Sequence, residues 1–324
     1  MPTESTPPQS TLDPLIRHFV LAVDFGGTKV EAALVDSGGV VFRGSRFRSP
    51  TGVDSSSGAL ALAVTQVVEQ ALGAMPDAAA LTGIGVGSAG PIDLANGLVS
   101  PVNLTIWQDF PLRDLVEQVA GRLGHPAPAT LRLDGLCITL AENWVGAARG
   151  FSNVLGMIVS TGIGGGLVLD GRVASGATGN AGHIGQLEIP GFTEANAPCT
   201  LEDIASGPNV VAWAQAEGWN GATGEDLSLS YSAGDDIAVA AVNRCGSAIG
   251  RAIASVGALL DLEFVVIGGG FARVTPDLFG IIRTSIDRYA RFEYARRVTL
   301  APTGLETDGP IIGAAALVWR GNSI

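Results

Sequence analysis

Two hydrophobic periods alternate along this chain, and the points where one gives way to the other mark its elements. The run HFVLAVDFGG is continuously apolar until it meets an acid and two glycines, which predicts a buried strand over Phe19 to Asp24. VEAALVD predicts a second strand and GVVFRGSRFR a third, joined by a hairpin at Ser-Gly-Gly. SSGALALAVTQVVEQALGAM then changes to helical spacing. LTGIGVGSAGPID predicts a strand running into a Gly/Pro loop, PLRDLVEQVAGRLG a helix, ATLRLDG a short strand, and LCITLAENWVGAARG a helix.

A second set of elements begins near Ser152. NVLGMIVSTGIGGGLVLDGRV predicts strand, glycine turn, strand. EDIASGPNVVAWAQAEG predicts one helix and DDIAVAAVNRCGSAIGRAIASVGALL a longer one. LEFVVIGGGFARV predicts a strand entering a glycine loop, PDLFGIIRTSIDRYA a helix, RRVTLAPTG a strand, and DGPIIGAAALVWRG a closing helix. Both halves therefore open with strand, glycine turn, strand, and VDFGGTKVEAALVD and VSTGIGGGLVLDG read as two copies of one unit. A duplicated α/β architecture with a cleft between its halves follows.

Composition narrows the partners. The 324 residues suit two domains and a sizeable core. The 45 glycines cluster in short runs, which marks places of close backbone approach. A net charge of −12 disfavours nucleic acid and anionic membranes as partners, while a small phosphate site remains compatible with it. Cys137, Cys199 and Cys245 are scattered without a CxxC, which argues against a disulfide framework and a zinc cluster. Residues 1–17 are polar and proline-rich and read as a disordered tail, neither signal peptide nor anchor. With no apolar run of roughly 18 residues or more, the expected location is the cytoplasm.

Several motifs carry candidate chemistry. In VDFGGTK, Asp24 ends a strand before Gly26, Gly27 and Thr28. Such a turn presents backbone N–H groups to an anion, and an acid beside it suits Mg²⁺; an ordinary hairpin explains the turn equally well. Lys29, the sole lysine, either adds charge near phosphates or is a solvated strand residue. STGIGGG, with Thr161, Gly162 and Gly164, is a second candidate phosphate turn. Gly268, Gly269 and Gly270 in IGGGFA would let a ring or ribose lie against backbone. The glycine pattern and acid spacing of a Rossmann NAD site are absent. Asp134 lies at a strand-to-helix junction and reads either as a helix cap or as a general base.

Taken together, these motifs resemble the ROK family of sugar kinases and related repressors, within the hexokinase/actin-type fold. DFGGTK, GSAGPID with GLVSPVNLTIWQDFPL, STGIGGGLVLDGRVASG, VVIGGGFA and DGPIIGAAAL occur in the family's order from about Phe19 onward. The resemblance implies two ribonuclease-H-like domains with a cleft between them: a small one over 18–133 plus 309–324 and a larger one over 134–308. It gives Asp134 the catalytic place, with Glu142 eight residues later, while Leu133 and Leu136 stand where the family usually has Asn. It implies that Asn103, Asp134, His183 and Glu202 hold the substrate, and that the turns at Gly26, Gly27, Thr28 and Thr161, Gly162 bind phosphates. Asp24 would hold Mg²⁺ through water.

The same comparison places His183 at the family's sugar-contacting Glu, Gln186 at a zinc ligand, and Thr200 at the last zinc cysteine, with Cys199 one position early. A four-ligand zinc site is then not expected. The implied activity is ATP-dependent phosphorylation of a hydroxyl on a glucose- or hexosamine-like hexose. The altered pocket residues make a valiolone-like C7-cyclitol of secondary metabolism the alternative. A non-catalytic sugar-sensing or regulatory protein is the third reading, disfavoured for a repressor by the short polar stretch before the first strand. The partners expected are a small sugar or polyol and no nucleic acid or membrane, with a homodimer left open.

Overall fold

The computed structural model describes residues 16–52, 55–102, 104–192 and 199–321. The first half runs β1 (Arg17–Phe25), β2 (Lys29–Val35), β3 (Phe47–Pro50), α1 (Ser57–Gly73), β4 (Ala79–Ser88), the short strands β5 (Ile92–Asp93) and β6 (Leu98–Val99), α2 (Leu112–Arg122), β7 (Ala129–Leu133) and α3 (Asp134–Trp144). The second runs β8 (Val154–Val159), β9 (Ile163–Leu169), β10 (Arg172–Val173), α4 (Leu201–Ala205), α5 (Gly207–Ala216), α6 (Gly224–Ser232), α7 (Asp236–Leu260), β11 (Phe264–Gly268), α8 (Leu278–Tyr289), α9 (Glu293–Arg296), β12 (Thr299–Pro302) and α10 (Gly309–Trp319).

The repeat read from the sequence is present in three dimensions. One sheet has the order β3-β2-β1-β4-β7 and the other β10-β9-β8-β11-β12. In each, the first three strands of the half pair antiparallel and the next two add parallel to the opening strand. The parallel central strands are buried on both faces, so they read as unbroken apolar runs rather than alternations. Val20, Leu21, Val23 and Phe25 of β1 are all fully buried.

Glycines at every second position of β4 decide how the helices lie. A Cβ on Gly85 would fall 1.8 Å from the Ala314 carbonyl oxygen of α10, and one on Gly87 would fall 3.0 Å from Cys137 Sγ of α3. A Cβ on Gly313 would likewise fall 1.8 Å from the Cys137 carbonyl oxygen, so α3 and α10 meet backbone to backbone. α10 covers β1, β2 and β4, whereas α3 packs on β8 and β9. This helix pair is the joint between the two sheets, and Asp134 is the first residue of α3.

Three sequence expectations needed correction. The third strand begins only at Phe47, because residues 39–46 wrap back on β2: Ser45 Oγ takes the Leu34 N–H at 3.0 Å, in the place of a ladder partner. The single helix expected over 202–218 is broken at Ser206, whose extended backbone (ψ 148°) precedes Gly207-Pro208 at the start of α5. α6 was not anticipated, although Thr223 and Asp226 form a reciprocal capping box at its start, a pattern legible in TGED. The predicted tail lies outside the described residues up to position 15, and Asn103 also lies outside them.

Candidate active site

Asp24, the penultimate residue of β1, lies directly opposite Glu31 of β2 and beside Gly87 of β4. It is 7% exposed. Burial raises its pKa to about 7, with repulsion from Asp134 adding to the rise and the charge of Lys29 opposing it. Glu31 beneath it is handled differently. Burial pushes its carboxyl up, but hydrogen bonds from Lys29 and Arg46 outweigh that and hold it below the ordinary range. Lys29 Nζ stands 2.9 Å and Arg48 3.0 Å from Glu31 Oε2. Arg46 pairs with both Glu31 and Asp308, the residue preceding α10. Lys29 is therefore a half-buried ion-pair member whose charge also reaches Asp24.

Asp134 does not act as a helix cap. The cap position is Leu133, without any side-chain cap bond, and Asp134 Oδ1 takes the N–H of the adjacent Gly135 at 2.6 Å. Burial raises its pKa to about 6, and that bond together with the charge of His183 limits the rise. A carboxylate with this pKa is an effective base near neutral pH.

Glycine contacts bring His183 to Asp134. A Cβ on Gly135 would fall 2.6 Å from the Gly165 carbonyl oxygen, and so would one on Gly182. The start of α3, strand β9 and the loop carrying His183 can stack only because all three backbones are bare at that point. Gly182 also has φ +106°, a conformation that L side chains rarely adopt. Gly165 is thus a positioning glycine within STGIGGG, while Gly164, two residues beyond the turn, faces open space. His183 Nδ1 lies 2.8 Å from the Asn180 carbonyl oxygen. Since a carbonyl only accepts, Nδ1 carries a proton, so Nε2 is the nitrogen turned towards Asp134 and Gly90. Asn180 was not singled out from the sequence. Its side-chain amide bonds both the N–H and the carbonyl of Ile92, at 3.0 and 2.8 Å, which ties this loop to the first half of the chain.

Glu202 is held at the start of α4 by a capping box between Thr200 and Asp203. Its Oε2 accepts the Ile163 N–H at 2.6 Å, and Oε1 lies 3.5 Å from the Gln186 amide. Glu202 therefore braces the Thr161–Gly162 turn. Thr200, at the expected cysteine position, spends its hydroxyl on the cap, and Gln186 faces Glu202. Glu142 is fully buried and accepts N–H groups of Ala147, Gly304 and Leu305 at 2.8, 3.1 and 3.0 Å. It fastens the end of α3 to the strand-end loop after β12.

A cavity of about 850 Å³ opens from the second turn. Ser160, Thr161, Gly207, Gly270 and Phe271 line it, with Glu225 and Ser228 of α6 opposite. Of Gly268, which ends β11, and the two glycines after it, only Gly270 borders this space. Gly268 is bare because Thr303 would meet its Cβ at 2.4 Å, and Gly269 because the Val159 carbonyl oxygen would meet one at 2.3 Å. Gly26, Gly27, Thr28 and Lys29 lie outside the cavity lining. The Gly26–Lys29 turn is closed by a 2.9 Å bond from Gly26 N–H to the Lys29 carbonyl and braced by the Thr51 hydroxyl on the Gly26 carbonyl at 2.8 Å.

Among the described residues, no three His, Cys, Asp or Glu side chains converge to cage a metal. The donors suit a hard cation that completes its shell with phosphate oxygens and water. Asp24 has no ion pair of its own among the described residues, and the repulsion between it and Asp134 is what a divalent cation would relieve.

Two sheets of one topology, each opening on a glycine turn and meeting at a carboxylate, define an actin/hexokinase-type protein of two ribonuclease-H-like domains with a cleft. A family profile described as the ROK family matches residues 20–320. The chain belongs to the ROK family. It is 28% identical to a glucokinase of Halalkalibacterium halodurans over 323 residues, 93% of this chain and 95% of that protein. It is 29% identical to an N-acetylmannosamine kinase of Yersinia pseudotuberculosis over 311 residues, 94% and 99% of the two chains. The ROK hexokinase from Thermus thermophilus superimposes with a TM-score of 0.77 at 30% identity, over 93% of this chain and 98% of that one.

Proposed function

We propose that this ROK-family sugar kinase transfers the γ-phosphate of ATP to a hydroxyl of a glucose- or hexosamine-like hexose. The observation that carries the reading is Asp134 at the joint of the two halves, with a pKa raised to about 6 and His183 facing it. Asp134 accepts the hydroxyl proton as the oxygen attacks phosphorus. His183 Nε2 hydrogen-bonds a sugar hydroxyl, and Glu202 orients a second hydroxyl through the oxygen lone pairs that Ile163 leaves free. Asn103 completes the substrate contacts.

The adenosine lies in the cavity between Gly270, Phe271 and α6, and its phosphates reach along Thr161 and Gly162 towards Gly26, Gly27 and Thr28. Asp24 would hold Mg²⁺ through water, and the ion would supply positive charge against the phosphates. Residues 18–133 with 309–324 form one body and 134–308 the other; closure about the α3–α10 joint excludes water from the reacting phosphate.

Leu133 and Leu136, 4% and 1% exposed, lie in the core and offer the sugar no amide. The hydroxyl contacts then rest on fewer groups, and that is what keeps a C7-cyclitol as the second substrate reading. Incubation with ATP–Mg²⁺ and glucose, N-acetylmannosamine and a C7-cyclitol, followed by mass spectrometry, separates them. A phosphorylated hexose is the expected product. A product from the cyclitol alone would replace the substrate, and none from any of them, with sugar binding intact, would favour a non-catalytic sensor.

A further inference from the structure

Away from the cleft, β7 and β10 are the outer strands of the two sheets, and a second cavity of about 480 Å³ lies between them. Its polar lining comes from both sheets: Thr130 and Arg132 of β7, Arg172 of β10, and Ser175 just after it. Leu140 of α3 and Leu317 of α10 form its apolar floor, so the cavity sits on the joint itself.

Its charge is unbalanced. No Asp or Glu lines it, although the chain carries 31 acidic residues against 19 basic ones. Arg132 is partly buried, and among the described residues its guanidinium makes one hydrogen bond, at 2.8 Å to the Leu131 carbonyl. Burial draws its pKa down and no carboxylate offsets that cost. Arg172 has no ion-pair partner among the described residues. Two arginines left with free N–H groups, beside two hydroxyls, form a receptor for a tetrahedral oxyanion, which the planar guanidinium fork grips through paired N–H donors. A space of this size also admits a sugar-sized body behind the anion.

The site has a physical connection to the sugar pocket. Ser175 leads into the loop that bears His183, and its carbonyl accepts the Ala181 N–H at 3.1 Å, two residues before that histidine. We propose that the cavity between β7 and β10 is an anion site for a phosphate dianion, free or as a phosphate monoester, and that its occupancy alters sugar affinity by bridging Arg132 and Arg172 across the joint. The coupling rests on the kinase reading above; the binding does not.

Calorimetric titration separates the two. Inorganic phosphate and glucose 6-phosphate are titrated separately into full-length protein saturated with glucose and a non-hydrolysable ATP analogue with Mg²⁺, which occupies the phosphate turns of the cleft. One remaining site is expected, weakened roughly tenfold or more in Arg172→Glu. Arg172 is exposed, so this variant keeps the fold, and unchanged KM for ATP checks that. Arg132→Gln is expected to weaken the same site. The tighter of the two ligands identifies the natural anion as free phosphate or an ester. Absence of the site, or equal affinity in wild type and Arg172→Glu, would overturn the proposal. Binding that leaves the KM for sugar unchanged in wild type would overturn the coupling.

Discussion

Asp134→Asn makes the sharpest test, because one substitution has to move stability and activity in opposite directions. The Asp134 pKa rises from 3.8 to about 6 on folding. At about 1.4 kcal/mol per unit, the ionised carboxylate destabilises the native state by about 3 kcal/mol at neutral pH. The sign follows from proton binding. Between these two values the native protein binds more protons than the unfolded chain, so stability falls as pH climbs from 3.8 to about 6 and stays level above. Asn removes the ionisation and keeps an acceptor for the Gly135 N–H. The variant should therefore match wild type below pH 3.8 and exceed it by up to about 3 kcal/mol above pH 7, with its melting temperature raised by several degrees. Turnover should fall by roughly a thousandfold or more, since the hydroxyl loses its base. Thermal melts across pH 3.5 to 8.5 and a coupled kinase assay read both. Equal melting temperatures at pH 8 would refute the buried-charge argument, and near-wild-type turnover would refute the role of Asp134 as base.

Four further outcomes follow. In wild type, kcat/KM for sugar should climb as pH rises through about 6 and then level off, because the base works ionised; a profile flat from pH 5 to 8 would contradict this. Gly135→Ala forces a methyl to within 2.6 Å of the Gly165 carbonyl oxygen, so it should cost about 1–3 kcal/mol and raise the KM for sugar more than that for ATP. Glu142→Gln replaces one acceptor oxygen among three backbone N–H groups with a donor, which should cost about 1–3 kcal/mol in denaturant titrations while leaving both KM values close to wild type. Asp24→Asn should shift the Mg²⁺ titration of activity to higher concentration; an unchanged titration would remove Asp24 from the metal site.

Local physics made the elements legible. Buried parallel strands are short apolar runs ended by glycine, and that pattern located β1, β4, β8 and β11 before any contact was known. The doubled strand–turn–strand unit carried the fold with it, because identical local patterns find identical pairings. Where side chains override pattern, the reading failed: Ser45 replaces a ladder bond beside β2, and Ser206-Gly207-Pro208 breaks a helix whose apolar spacing continues through the break.

The candidate site divides along the same line. Asp24, Asp134 and the glycine turns are readable because each sits where an element ends, and element ends are encoded locally. The raised pKa values of Asp24 and Asp134 are not readable, since both arise from burial and that of Asp24 also from Asp134, 110 residues along the chain. The orientation of His183 needs the Asn180 carbonyl, and the contact between Gly135, Gly165 and Gly182 needs three distant segments to meet. The paired arginines at 132 and 172 look unremarkable in sequence, forty positions apart. Sequence by itself determined the fold, the repeat and which residues could do chemistry. Only the tertiary structure decided which charges face one another, because desolvation and Coulomb forces depend on distance in space.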